Sequence, residues 1–365
     1  MSDIAPNRNG SGDGGVATAP SPEVSADQHV LTAVSGSIGS IRLNRPRALN
    51  AITTEMVAAI DSSLRAWATE PLTAVVVSSS SEKAFCAGGD IRAVQENSLA
   101  GNYAANERFF ATEYSLNLHM AGYQTPLVAL IDGICMGGGL GLSVHGGFRV
   151  VSEKASLAMP ETTIGFFPDI GASYFLSRLP GGLGAYIGLT GYRLDAADAL
   201  YTGLATHFVP SADINAVPQF LAESPRVPID ESLRRMAPHA LLEDSYLATH
   251  RQGIDWCFMA PTVEELLRRL RTHDSAWAFE TAEILETKSL QSLQVTSALL
   301  AWGRQHDLRR CLETELDVAL RVTRTADFIE GVRAALVDKD RTPRWSRSQF
   351  AGFDAFGKSQ WADPA

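Results

Sequence analysis

Short apolar runs alternate with helical stripes over the first half of the chain. Five runs predict strands, at residues 29–34, 37–43, 72–78, 126–131 and 148–152. Two longer stretches between them carry apolar residues at three-to-four spacing and predict helices, at residues 53–69 and 103–120. Strands that alternate with helices favour βα units, so we expect an α/β fold with a mostly parallel sheet.

The pattern changes after about residue 210, where helical stripes dominate. Four stretches predict helices, at residues 262–271, 275–287, 292–302 and 308–324, and a mixed-charge stretch follows at 328–340. We therefore divide the chain into an α/β core over residues 28–222 and a helical C-terminal region over residues 223–365. Residues 1–27 are rich in Gly, Ser, Pro, Ala and Asp, and their few large apolar groups predict a disordered tail.

The composition indicates a protein with a substantial core. Of 365 residues, 45% are apolar and 20% are charged, and the formal net charge is −10. The sequence shows no basic stripe of the kind that nucleic-acid binders carry, so we expect no nucleic-acid partner. The longest pure apolar runs, such as residues 127–131, are too short to span a bilayer, so we expect no membrane segment.

The four cysteines, Cys86, Cys135, Cys257 and Cys311, form no CxxC pair and have no metal-spaced histidine nearby. They predict neither a disulfide framework nor a metal site, and a reducing compartment is the simple interpretation. The N-terminal stretch shows neither a signal-peptide apolar segment nor an Arg-rich amphipathic presequence. We therefore expect a cytoplasmic protein.

Two glycine-containing turns are the first candidates for chemistry. One runs from Phe85 to Asp90 (FCAGGD) and the other from Met136 to Gly139 (MGGG), and neither matches a dinucleotide-binding or P-loop motif. Glycine lets the backbone approach a ligand closely, and a helix N-terminus adds free N–H donors. Two such donors that converge on one point would stabilise the oxyanion of an acyl-transfer or enolate reaction.

These turns belong to three motifs, KAFCAGGD at residues 83–90, IDGICMGGGLG at 131–141 and MPETTIGFFPD at 159–169. Their order and spacing resemble those of the crotonase (enoyl-CoA hydratase/isomerase) superfamily, over most of residues 29–210. The resemblance implies a spiral of ββα units that binds acyl-CoA thioesters, followed by a helical C-terminal region. It also implies that the N–H groups of Gly89 and Gly138 form an oxyanion hole and that the backbone of Ala87 contacts the adenine.

The acidic positions decide which reaction the resemblance implies. Superfamily hydratases carry a first glutamate where this chain has Gly141, and Glu161 matches their second glutamate. Asp169 stands where hydratases usually have glycine. This arrangement resembles the 3-hydroxyisobutyryl-CoA hydrolase subgroup, as do GLSVHGGFRV at residues 141–150 and EGVRAALVDKD at 330–340. The resemblance therefore implies hydrolysis of a short-chain 3-hydroxyacyl-CoA thioester, as in valine breakdown.

The residues alone allow more than one role for each acid. The family precedent implies that Glu161 attacks the thioester to give a mixed anhydride, and Glu161 could instead deprotonate a water. Asp169 would orient water, bind the 3-hydroxyl or protonate the leaving thiolate. Glu113, in the stretch FFATEY, matches a glutamate that lines the acyl pocket of the subgroup, so we expect it to bind the substrate hydroxyl. The subgroup more often has glycines at residues 171–173 (GAS here), a difference from which we expect little consequence.

Four cations flank the motifs and are candidates for binding the coenzyme A phosphates: Arg45, Arg47, Lys83 and Arg92. Of these, we expect Arg92 and Arg47 to contact phosphate. Coenzyme A is part of the acyl-CoA substrate, so we expect no separate cofactor, and nothing in the sequence indicates a metal.

Two other functions compete with hydrolysis. An enoyl-CoA hydratase or isomerase would also use Glu161, although Gly141 argues against efficient hydration. A non-catalytic acyl-CoA-binding protein would leave the acid pair Glu161 and Asp169 unexplained. The acyl group is open between 3-hydroxyisobutyryl and 3-hydroxypropionyl, and a homo-oligomer is possible because superfamily members are often trimers or hexamers.

Overall fold

The computed structural model describes residues 28–237 and 245–346. Within these ranges the chain forms nine strands: β1 Val30–Ser35, β2 Ile38–Leu43, β3 Ala74–Ser79, β4 Ala84–Cys86, β5 Leu127–Ile131, β6 Ile134–Met136, β7 Phe148–Val151, β8 Ser156–Ala158 and β9 His207–Phe208. They form a six-stranded sheet in the order β1-β2-β3-β5-β7-β9 and a three-stranded sheet in the order β4-β6-β8. The β1–β2 hairpin pairs antiparallel, and the other neighbouring strands of both sheets pair in parallel. The expected α/β fold with a mostly parallel sheet is confirmed.

Sixteen helices, counted over the described ranges, connect and cover these strands. In chain order they are α1 Thr54–Ala66, α2 Ile91–Leu99, α3 Tyr103–Ala121, α4 Gly138–Gly141, α5 Ala172–Phe175, α6 Leu183–Thr190, α7 Ala196–Thr202, α8 Val217–Glu223, α9 Ile229–Met236, α10 Tyr246–Thr249, α11 Arg251–Phe258, α12 Val263–Thr272, α13 Ala276–Glu286, α14 Leu290–Gly303, α15 Leu308–Val322 and α16 Ala326–Val332. A π-helical turn, Arg333–Val337, continues α16. In the part of the chain that the structure describes, no helix is both long and apolar enough to cross a bilayer.

Apolar side chains cover both faces of the six-stranded sheet, as buried parallel strands require. On one face, Val75 and Val77 of β3 belong to a large cluster that reaches Val332 of α16. On the other face, Val76 packs with Leu221 of α8 and with residues of α9. The sheet and the C-terminal helices therefore share one continuous core. The boundary expected between residues 222 and 223 falls at the end of α8 and stays a prediction.

The hydrophobic pattern locates the longer elements within a few residues. The helix expected at residues 103–120 is α3, and the hydroxyl of Thr53 caps α1 by accepting the Met56 N–H at 3.3 Å. The pattern does not reveal β4, β6 and β8, because three residues are too few to show a period. The tail expected at residues 1–27 lies outside the described residues, as do residues 238–244 and 347–365 of the expected helical region.

The C-terminal helices pack closely on the segment that carries Glu161. This segment is a 3-10 turn, Glu161–Ile164, and it ends at Gly165 with a φ of 70°. A Cβ at Gly331 of α16 would collide with the carbonyl carbon of Ile164, and a Cβ at Gly165 would collide with the carbonyl oxygen of Asp327. The two backbones can approach one another here because both positions are glycine.

We expect Gly331→Ala to lower the free energy of unfolding by about 2–3 kcal/mol, although alanine is the better helix former. The added methyl group has to push α16 away from Ile164, and this overpacking outweighs the helix propensity. Chemical denaturation of both proteins measures the difference. Gly122→Ala is a matched control, since that glycine has a φ of −97° and its Cβ would find its nearest contact at 3.8 Å. Equal stability of Gly331→Ala and the wild type would contradict the close approach.

Candidate active site

Three parallel strands end at one edge of the small sheet, and each is followed by candidate site residues. β4 pairs with β6, and β6 pairs with β8. Gly89 follows β4, Gly137 and Gly138 follow β6, and Glu161 follows β8. Because the carboxyl ends of parallel strands lie on the same side of a sheet, the fold brings these residues together.

The N–H groups of Gly89 and Gly138 lie beside one another. The backbone nitrogen of Gly89 is 3.3 Å from the position that a Cβ would take at Gly138. Ile52 fixes the first turn, since its N–H donates to Gly88 O at 2.8 Å and its carbonyl accepts the Asp90 N–H at 2.9 Å. Among the described residues, neither the Gly89 N–H nor the Gly138 N–H has an acceptor. Both donors are therefore available to a ligand oxygen.

Two acidic side chains lie against the glycine turn after β6. Oε1 of Glu161 is 2.6 Å from the position of a Cβ at Gly137, and Oε1 of Glu113 is 2.5 Å from the position of a Cβ at Gly138. A larger residue at either position would displace a carboxyl group. Glycine is needed here for the approach of the acids as well as for the turn.

Three acids share this buried site: Glu113, Glu161 and Asp169, with exposed fractions of 3%, 8% and 6%. Oε1 of Glu113 and Oε2 of Glu161 have no hydrogen-bond partner among the described residues. Oδ2 of Asp169 accepts a hydrogen bond from the Tyr114 hydroxyl at 2.7 Å. Buried polar atoms normally have partners, so the two unpartnered oxygens indicate where a polar ligand would bind.

Burial raises the pKa of each of these acids. It raises the pKa of Asp169 to about 7, against the lowering effect of the Tyr114 hydrogen bond. The pKa values of Glu113 and Glu161 lie well above the ordinary range, first because of burial and second because the charge of Asp169 is close. Three neighbouring carboxyl groups in a dry site cannot all ionise at neutral pH. They therefore offer both an acid and a base to a reaction.

A side chain at position 141 would meet packed neighbours. A Cβ at Gly141 would lie 2.9 Å from Nδ2 of Asn117 and 3.2 Å from Cβ of Ile170. The Asn117 amide also donates to the Gly141 carbonyl at 3.1 Å. A glutamate at position 141 would therefore have to displace the Asn117 amide, and the acids of this chain lie on other walls of the site.

Sequence reasoning does not identify three residues that hold Asp169 and the turn after it. Tyr114 binds the Asp169 carboxylate, Nε2 of His145 contacts Ile170 O at 2.7 Å, and Glu315 binds the rest of the turn. Tyr114 and Glu315 occupy core positions of helical stripes, and a polar residue in such a stripe is a signal that could have marked them. The sequence suggests only packing for His145. Burial lowers its pKa to about 4, so the neutral ring donates Nε2–H to the carbonyl.

The groups that are expected to contact coenzyme A lie near the first glycine turn, and some of them already form hydrogen bonds within the protein. The Ala87 N–H donates to Leu49 O at 3.0 Å. The Arg92 guanidinium donates to the backbone carbonyl of Leu336, which joins α2 to the C-terminal region. A phosphate contact from Arg92 would require this hydrogen bond to exchange.

The remaining candidate cations divide into paired and exposed side chains. Arg45 forms an ion pair with Asp90 at 2.9 Å, so it supports the first turn. Arg47 and Lys83 are exposed. The phosphate roles of Arg92 and Arg47 stay predictions.

Other reactive side chains are not arranged for chemistry. Burial raises the pKa of the Cys86 thiol to about 12, so the thiol is not a nucleophile at neutral pH. The Ser143 hydroxyl donates to Leu140 O at 3.0 Å, within its own turn. Over residues 28–237 and 245–346, no group of three or more His, Cys, Asp and Glu side chains is placed to hold a metal ion.

Comparison with known proteins first identifies the family to which the chain belongs. A family profile described as enoyl-CoA hydratase/isomerase matches residues 38–356. A carnitinyl-CoA dehydratase from Mycobacterium thermoresistibile has a TM-score of 0.84 at 35% identity, covering 93% of this chain and 98% of that chain. An enoyl-CoA hydratase from Rhodobacter sphaeroides has a TM-score of 0.80 at 37% identity, covering 88% of this chain and 93% of that chain. The chain belongs to the enoyl-CoA hydratase/isomerase family and has the expected crotonase fold.

The names of individual relatives then indicate the subgroup within this family. The chain is 42% identical over 336 residues to a protein from Danio rerio named "3-hydroxyisobutyryl-CoA hydrolase, mitochondrial", covering 90% of this chain and 87% of that protein. A Homo sapiens protein of the same name is 41% identical over 333 residues, covering 89% and 86%. An Arabidopsis thaliana protein named "Probable 3-hydroxyisobutyryl-CoA hydrolase 3" is 38% identical over 332 residues, covering 88% of each chain. The resemblance to this subgroup is confirmed.

These comparisons correct the expected location. The expectation of a cytoplasmic protein is wrong by this comparison, since the Danio rerio and Homo sapiens relatives are named as mitochondrial. The expectation depended on the composition of an N-terminal stretch, and composition identifies a presequence only where that presequence is Arg-rich and amphipathic.

We expect Asp169→Asn to raise the free energy of unfolding by roughly 2–4 kcal/mol at pH 8. The pKa of Asp169 is about 7 in the folded protein against an ordinary 3.8, so the folded state binds more protons between these values. Wild-type stability therefore falls as the pH rises through this window, and the neutral amide does not share the loss. Denaturation from pH 4 to pH 8 measures the difference, with the exposed Asp213→Asn as control. A difference in the free energy of unfolding between Asp169→Asn and the wild type that stays constant from pH 4 to pH 8 would contradict the raised pKa.

Proposed function

We propose that this chain hydrolyses 3-hydroxyisobutyryl-CoA to 3-hydroxyisobutyrate and free coenzyme A. The names of relatives from an animal and a plant support this substrate, at 38–42% identity over most of the chain. The observation that carries the proposal is the pair of free N–H groups at Gly89 and Gly138 beside the unpartnered carboxyl oxygen of Glu161. A thioester carbonyl that accepts both N–H groups would present its carbon to this acid.

The two amides would act on the charge that develops during thioester cleavage. When the carbonyl carbon is attacked, its oxygen becomes an oxyanion, and the fixed donors of Gly89 and Gly138 stabilise that state more than the ground state. A single oxyanion donor is worth roughly 3–4 kcal/mol of transition-state stabilisation. The burial of the surrounding acids indicates a dry site, in which such hydrogen bonds are strong.

Glu161 and Asp169 would divide the proton chemistry. Glu161 forms a bond to the thioester carbon, or takes a proton from a water that does so, and the carbon–sulfur bond breaks. The departing thiolate needs a proton, which a protonated Asp169 can donate. The pKa of Glu161 is raised well above its usual range and that of Asp169 to about 7, so a proton has to pass from Glu161 to Asp169 before Glu161 can act. If Glu161 attacks directly, a water then opens the resulting anhydride, which releases the hydroxy acid and frees Glu161. Either route consumes one water and uses coenzyme A only as part of the substrate.

The hydratase alternative has less support from the site. Two solved relatives carry the titles of a hydratase and a dehydratase. A superfamily hydratase of the two-glutamate type would need a carboxylate at position 141, where Asn117 and Ile170 fill the space. This packing favours hydrolysis over hydration.

Glu113 would select the hydroxylated acyl group. Its unpartnered Oε1 lies against Gly138, beside the proposed oxyanion hole. Burial and the nearby charge of Asp169 raise the pKa of Glu113 well above its usual range, so the neutral acid can both donate to and accept from a hydroxyl. A site with such a group disfavours acyl chains that lack the hydroxyl, because the buried acid then stays unpaired.

We expect the wild-type protein to release thiol from 3-hydroxyisobutyryl-CoA, and Glu161→Gln to lower kcat about 10²–10⁴-fold without loss of folding. The amide keeps the size of the side chain but cannot act as base or nucleophile. A thiol-trapping assay measures hydrolysis, and absorbance measures crotonyl-CoA hydration in parallel. The exposed Glu82→Gln is the control. Hydration of crotonyl-CoA without thiol release would favour the hydratase, and tight coenzyme A binding without either activity would favour a non-catalytic binding protein.

We expect Glu113→Leu to lower kcat/KM for 3-hydroxyisobutyryl-CoA about 10- to 100-fold and to leave that for isobutyryl-CoA unchanged or higher. The variant removes the partner of the hydroxyl and retains a side chain of similar volume. Glu113→Gln, which can still donate and accept, should show a smaller change in the ratio of the two substrates. An equal loss with both substrates would assign Glu113 to catalysis or folding instead of selection.

A further inference from the structure

Glu315 is a buried acid that the proposed reaction does not use. It lies on α15 in the C-terminal region, and none of its surface is exposed. Leu312 and Ala319, which flank it at helical spacing, belong to the large apolar core. A carboxyl group in such surroundings is strongly destabilising unless it is hydrogen-bonded, so its partners indicate its purpose.

Within the described ranges, the hydrogen-bond partners of Glu315 lie in the turn that follows Asp169. Oε2 accepts the Gly171 N–H at 2.6 Å, and Oε1 accepts the Ser173 N–H at 2.8 Å and the Ser173 hydroxyl at 2.5 Å. These N–H groups open α5, whose N-cap Gly171 has no side chain to bind them. Glu315 therefore caps α5 from another element. The hydroxyl of Ser173 is part of this arrangement.

The turn itself is strained and needs to be held. Ile170 has a φ of 55°, a conformation that a β-branched residue adopts only when its surroundings enforce it. Its carbonyl accepts a hydrogen bond from His145, and the Ala172 N–H donates to the Asp169 carbonyl at 2.9 Å. The orientation of the Asp169 side chain thus depends on a turn whose far end Glu315 holds.

We propose that Glu315 is a positioning residue, which binds the Gly171 and Ser173 amides and thereby directs the Asp169 carboxyl toward the thioester. This inference depends on the proposed function for the part that Asp169 plays. The groups that face Asp169 are Glu113 and Tyr114 from α3, Glu161 from the turn after β8, and Glu315 from α15.

The first test is Glu315→Gln, whose amide can accept from one N–H group but presents its NH₂ donor to the other. We expect kcat to fall about 10- to 100-fold with KM within about threefold. Glu313→Gln is the matched control, on the same helix with 56% of its side chain exposed.

A second variant and a second measurement keep the inference testable. Ser173→Ala removes one donor and leaves the N–H group, so we expect kcat to fall only about threefold to tenfold. Hydrogen exchange at the Gly171 and Ser173 amides measures their hydrogen bonds to Glu315 without any need for turnover. Exchange should accelerate in Glu315→Gln and not in Glu313→Gln. Lowered stability with unchanged kcat and unchanged exchange at these amides would overturn the proposal. If the wild type releases no thiol, the proposed function fails. The exchange measurement still tests whether Glu315 holds the Gly171 and Ser173 amides.

Discussion

The site depends on the parallel pairing of three very short strands. Cys135 of β6 lies opposite Cys86 of β4 and Leu157 of β8. Each strand has only three residues, so its own hydrogen bonds hold it weakly, and its neighbours fix it. Asn50 is one of these neighbours: its buried amide donates to Phe85 O at 2.9 Å. If this pairing shifted by one residue, the Gly89 and Gly138 amides would no longer converge.

The acids make this arrangement unfavourable for folding, and the C-terminal helices offset that effect. Burial raises the pKa values of Glu113, Glu161 and Asp169, and the charge of Asp169 raises those of the two glutamates further. Each such shift destabilises the folded protein once the group ionises. The rings of Phe166 and Phe328 pack 5.7 Å apart and bring apolar surface from α16 over the segment that carries Glu161. Phe166 also stacks on Phe110 of α3, the helix that carries Glu113, so the same rings contribute to the burial of the acids. Reactivity and burial therefore have one structural cause.

The sequence predicts the fold class, the two glycine turns and the acids, because each of these leaves a local pattern or a motif. Tyr114 and Glu315 are different, since their roles depend on which helices meet in three dimensions. A polar residue in an apolar stripe signals that it has a buried partner, but not which partner. The filled space beside Gly141 is also invisible in the sequence, because Asn117 reaches it from another helix. The location in the cell could not be predicted from the amino-acid composition either.

In the proposed reaction, the choice between hydration and hydrolysis depends on which wall of the site carries an acid. At position 141 a side chain would have to displace the Asn117 amide and press on Ile170. At position 169 the acid is bound by Tyr114, and the turn behind it is held from α15. An acid at position 169 therefore needs an element that holds the turn behind it, and the C-terminal region supplies that element. In the proposed reaction, the C-terminal helices are accordingly part of the catalytic unit and not an appendage to it.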